Sequence, residues 1–106
     1  MDHRTVEDFI LNLPDTKLDY PFGKDVAVYK VHDKLFALIA EGKAPIQLSL
    51  KCDPLLAATL RGRYESVMPG YHLNKKHWNT IVLTGQLSWD EIQDLIRHSY
   101  QLVSGT

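Results

Sequence analysis

With Cys52 as its single cysteine, the 106-residue chain has no partner for an internal disulfide and no set of thiols for a cysteine-based zinc cluster. No apolar run approaches the roughly 18 residues needed to cross a bilayer. The N-terminus, Met1-Asp2-His3-Arg4, lacks the basic stretch followed by an apolar one that marks a signal peptide. No membrane association is therefore expected, and a reduced, cytoplasmic setting is the default. An excess of charge is missing too: twelve Lys plus Arg stand against thirteen Asp plus Glu, a formal net charge of -1. That excludes a globally basic chain that coats polyanions, and equally an acidic disordered one. Repeats and low-complexity tracts are absent. So are a Gly-rich phosphate loop, a Gly-x-Ser-x-Gly elbow and a His-Glu-x-x-His helix. No catalytic residue and no cofactor are expected, and the chain reads as non-enzymatic.

What the chain does have is enough apolar residue, 44%, for a core. Surface scaling for this mass gives a folded area of about 6,000 Å² and burial of about two-thirds of the unfolded surface, without help from disulfides. One domain over residues 1–106 is expected. Val6, Phe9, Ile10 and Leu13 fall at helical spacing, with Thr5 and Asp8 as a start signal and Pro14 as a stop. Residues 15–23, with Tyr20-Pro21-Phe22-Gly23, read as an ordered loop. Three strand signals follow, at Val26–Val31, Leu35–Ala40 and Ile46–Lys51, joined by connections too short for parallel crossovers. Asp53-Pro54 caps a short helix expected to stop at Gly62. Val67-Met68 before Pro69-Gly70, and Thr80 to Leu83, supply two further strands. Ser88 with Glu91 three residues on is a capping box, and Ile92, Leu95, Ile96, Ser99, Leu102 and Val103 mark the stripe of a last helix. The order α-β-β-β-α-β-β-α argues an α+β fold in two layers, with helices packed on an antiparallel sheet.

Cys52, between a strand and a helix start, is expected to be a small buried apolar residue rather than a reactive thiol. His72 and His77 have no third ligand placed by spacing, and the acids around the first helix form a solvated face, so no metal is expected. The informative stretch is residues 61–78. It holds Arg61, Arg63, Lys75 and Lys76 against Glu65 alone, a local +3 that leaves -4 for the rest. Tyr64, Tyr71 and Trp78 interleave with the cations, and His72 and His77 add charge when protonated. Cations position phosphates and exposed aromatics stack on bases. Arg61, Arg63, Tyr64, Tyr71, His72, Lys75, Lys76 and His77 are the expected nucleic-acid contacts, while Trp78, abutting a β-run, is expected to be mainly structural.

Leu13-Pro14, Pro21-Phe22-Gly23, Lys34-Leu35-Phe36-Ala37, the run from Pro69 through His72-Leu73-Asn74-Lys75 and His77-Trp78 to Thr80, and Ser99-Tyr100-Gln101-Leu102-Val103 together resemble the MmcQ/YjbR-like family of small bacterial proteins. The resemblance spans nearly the whole chain. It implies a two-layer α+β fold of the frataxin-like or secretion-chaperone-like kind. It further implies a nucleic-acid (DNA-binding) role through a double-wing arrangement of strands and loops. The alternative it leaves open is a chaperone-like module that binds a peptide or protein partner on its sheet. A monomer is expected in either case.

Overall fold

The computed structural model describes residues 2–70 and 73–105. Asp2 caps α1 (His3–Leu11), its Oδ1 accepting from the Thr5 N–H at 2.9 Å, one turn earlier than Thr5 and Asp8 suggest. The strands β1 (Thr16–Asp19), β2 (Val26–Val31), β3 (Lys34–Ala40) and β4 (Gln47–Lys51) follow in succession. Then come α2 (Pro54–Arg63), β5 (Val67–Pro69), β6 (Trp78–Val82) and α3 (Trp89–Ser104). The strands form one antiparallel sheet in the order β1-β2-β3-β4-β6-β5. The α+β class and the helix layer agree with the sequence reading, and the total surface of 6177 Å² matches the scaling expectation.

Two local departures have clear causes. Thr16–Asp19 is a strand where a loop is expected, because it lies at the sheet edge and pairs only with β2, so its polar residues need no apolar alternation. The second helix runs through Gly62 to Arg63, its Tyr64 cap donating its backbone N–H to Leu60 O at 2.9 Å. One glycine costs about 1 kcal/mol in a helix, too little to stop it against that anchorage. Between β2 and β3, His32 and Asp33 both take positive φ (51° and 62°), the backbone a two-residue hairpin turn requires.

The main core lies between the sheet and the helices. Val6 and Ile10 of α1 and Ile92, Ile96 and Val103 of α3 meet Ala27, Tyr29, Val31, Ile39, Leu48, Leu50 and Ile81. Ser99, fully buried in the α3 stripe, accepts from the Lys51 N–H at 2.9 Å and donates to the Phe36 carbonyl at 2.5 Å. Phe36 sits where the β2–β3 register slips: Tyr29 pairs with Ala37 and Lys30 with Leu35, which leaves Phe36 without a partner on β2. The helix hydroxyl therefore takes up a carbonyl that the ladder passes over. On the opposite face, which carries no helix among the described residues, Val28, Leu38 and Trp78 form a second cluster with Val26, Leu35 and Leu73 packed on it.

Candidate nucleic-acid interface on the helix-free face

The basic segment folds into two separate groups. Arg61, Arg63 and Tyr64 end α2 on the helix side: Arg61 Nε donates to Ala57 O at 3.2 Å, and the Arg63 guanidinium stands 5.4 Å from the Tyr64 ring. The Tyr64 hydroxyl donates to Glu91 Oε2 of α3 at 3.1 Å. Lys75, Lys76 and His77 belong to the β5–β6 connection. The α2 start is close to that connection, since the Cys52 N–H donates to His77 O at 2.7 Å. Ten residues of helix then carry the chain about 15 Å away. Arg63 thus stands at the far end of α2 from Lys75 and Lys76, whereas the Arg61 side chain turns back along the helix and its charge acts on Cys52, beside the lysine turn. Tyr71 and His72 lie outside the described residues.

Asn74 organises the lysine turn. Its carbonyl accepts from the His77 and Trp78 N–H groups, and its Oδ1 accepts from the Lys76 N–H at 2.9 Å. Both lysine side chains are exposed, and His77 is half-buried. Gly70 closes the other end of the connection, donating to Trp78 O at 2.9 Å. A Cβ there would stand 2.7 Å from Trp78 Cβ, so only glycine lets the two backbones approach. Trp78, 9% exposed, is anchored in the helix-free cluster, the structural part expected of it.

The same turn delivers Leu73 to a groove of about 420 Å³ on the helix-free face. Val26, Leu38 and Ala40 of β2 and β3 make its apolar floor, with Gln47, Ser49 and Thr80 beyond them on β4 and β6. Ser49 and Thr80 hydroxyls bond each other at 2.8 Å. Phe22, from the β1–β2 connection, lines it from the other side at 64% exposure. Phe22 lies in the stretch 15–23 that the sequence marks as an ordered loop.

Charge divides between the layers. The three helices with their capping residues carry seven acids against four arginines. The strand positions on the helix-free face carry Lys17, Lys30 and Lys51 against Asp19 alone, by the register of β1, β2 and β4 with the outward Val28 and Trp78. Lys30 and Asp19 form an ion pair at 3.2 Å. The Tyr20 N–H, then Lys30, hold the Asp19 carboxyl below its usual range. The Asp19 charge is thereby committed, and Lys51 with the exposed Lys75 and Lys76 makes the β4–β6 end of this side basic. A larger hollow, about 520 Å³ along β1, mixes Asp15, Asp19 and Asp33 with Lys17 and Lys30 and favours neither sign of ligand.

Burial, and then neighbouring Asp53, push the Cys52 thiol up to about 11, so it is protonated at neutral pH and no nucleophile. Among the described residues, no three His, Cys, Asp or Glu side chains gather to hold a metal, and no helix is long and apolar enough to cross a membrane.

A family model, YjbR, matches residues 11–102. The Escherichia coli O157:H7 protein YbdF is 37% identical over 101 residues, 95% of this chain and 83% of the relative. The YjbR protein of Escherichia coli K12 is 44% identical over 72 residues, covering 68% of this chain and 61% of its own length. The crystal structure of Deinococcus radiodurans protein DR2400 superposes with a TM-score of 0.91 at 36% identity, over 95% of this chain and 77% of that one. A Pseudomonas syringae crystal structure gives 0.82 at 34%, over 97% and 99%. By sequence and by fold alike, the chain belongs to the YjbR family.

Proposed function

We propose that this chain is a non-enzymatic, cytoplasmic, monomeric module that binds nucleic acid on the helix-free side of its sheet. The observation that carries the reading is the distribution of charge: seven of the thirteen acids belong to the helices and their caps, while Lys75 and Lys76 stand exposed beside the strand end bearing Lys51. A polyanion meets attraction on one side and repulsion on the other, which confines it to the first. The β1–β2 and β5–β6 connections would be the two wings bordering that face. Arg63 drops out of the contact set, since it ends α2 on the helix layer against the Tyr64 ring. Backbone contacts of this kind carry little sequence information, so affinity is micromolar or weaker and falls steeply with salt. Removing two phosphate contacts should flatten the log-log salt slope by about two units. Fluorescence anisotropy with labelled DNA and RNA oligonucleotides at two salt concentrations tests this on the wild type and Lys75→Ala/Lys76→Ala. Weaker binding by the variant to every sequence supports the reading. Identical curves, or no binding at low salt, overturn it and leave a peptide partner on the sheet as the reading to pursue.

A further inference from the structure

Resting on that reading, we infer that the groove between Phe22 and Leu73 seats an unpaired nucleobase, so that the ligand is single-stranded. A duplex offers phosphates but keeps its base faces stacked inside, and lysines alone would be served by either form. The groove adds something phosphates cannot use: an apolar floor of Val26, Leu38 and Ala40, with a 64%-exposed aromatic ring beside it. Stacking on an aromatic side chain needs only a π-face, which every base has once it leaves the helix. Gln47 stands in the same lining, and its amide offers both a donor and an acceptor to the polar edge of a base. Position links the two halves of the ligand. Leu73 in the groove and Lys75–Lys76 outside it belong to one turn, fixed by Asn74, so a base at Leu73 brings its backbone alongside the lysines. Charge complementarity chooses this occupant over an apolar peptide: the groove adjoins the turn of the exposed Lys75 and Lys76 and the strand end bearing Lys51, in a chain of net charge -1.

The test compares labelled oligothymidylate, the same strand with abasic sites, and a duplex of equal length, by anisotropy at low salt. Phe22→Ala and Phe22→Trp are measured beside the wild type, with urea melts to show that an exposed side chain has been changed without unfolding. The single strand should bind more tightly than the duplex. Phe22→Ala should weaken single-strand binding by roughly 5- to 150-fold, the range for losing one stacked base. Phe22→Trp should restore it, and the abasic strand should bind wild type and Phe22→Ala alike. Equal affinity for duplex and single strand, or no effect of Phe22→Ala on the base-bearing strand, overturns the base seat while leaving the lysine contacts standing. Absence of binding to any of the three removes both.

Discussion

Replacing Ser99 by alanine takes away one oxygen at the place where α3 is fastened to the sheet. That oxygen closes two hydrogen bonds at once, accepting from Lys51 N–H and donating to Phe36 carbonyl, in a fully buried site. Alanine keeps the Cβ, so packing changes little and the cost is almost wholly polar. Each buried group left unpaired costs about 1–3 kcal/mol, and here a donor and an acceptor are orphaned together. Phe36 has no β2 partner to which its carbonyl can turn, because it occupies the register slip. The sum is about 2–6 kcal/mol, a large share of the roughly 5–15 kcal/mol that holds a domain. At this size 1 kcal/mol corresponds to about 4 °C, so the melting midpoint should fall by roughly 8–24 °C. Urea and thermal unfolding followed by circular dichroism would measure it. Thr59→Ala serves as the control: that hydroxyl bonds Leu55 O on the exposed side of α2, and its loss should stay within about 0.5 kcal/mol. A Ser99→Ala loss no larger than that would show that the two orphaned groups find other partners, and the account of how α3 is held would fail.

Other outcomes follow from the same structure. Trp78→Ala should cost about 3–5 kcal/mol in denaturant melts, the range for truncating a buried aromatic, because it empties the cluster on the helix-free face; a loss under about 1 kcal/mol would contradict its burial. Cys52 supplies a pH dependence. Its folded thiol is raised to about 11 from an ordinary 9.0, so the unfolded chain ionises first and the folded state loses stability between those pH values, with no contribution below 9.0. Stability measured from pH 8 upward should therefore fall more steeply for the wild type than for Cys52→Ala, and parallel curves would refute the shift.

The class of fold could be read from the sequence because short connections between strand signals leave only antiparallel neighbours, and the structure has them. The capping box at Ser88 and Glu91 and the Asp53-Pro54 cap were readable for the same reason: each is a local arrangement of backbone donors and side-chain acceptors. β1 was not, since an edge strand with two charged residues in four shows no alternation. The groove had a signal that alternation arguments pass over. Val26-Ala27-Val28-Tyr29 and Leu35–Ala40 are apolar at both parities, which means both faces of the sheet carry apolar side chains. The basic segment misled in another way. Proximity in sequence suggested one patch, but Arg63 lies at the C-terminal end of α2, about 15 Å of helix from the start that adjoins the lysine turn.

The sheet is open at both ends, and its two borders govern how it meets other molecules. β5 offers three residues, the last a proline with no N–H to give, and β1 offers four, with Lys17 and Asp19 exposed. Neither border can template a further strand for long, so growth of the sheet by lateral addition is suppressed at each side. A chain with bare apolar surface on one face and inviting borders would be prone to fibrous stacking. Here the borders are blunted while the face is left uncovered, so what docks on this sheet must approach it broadside, through side chains rather than through the backbone ladder.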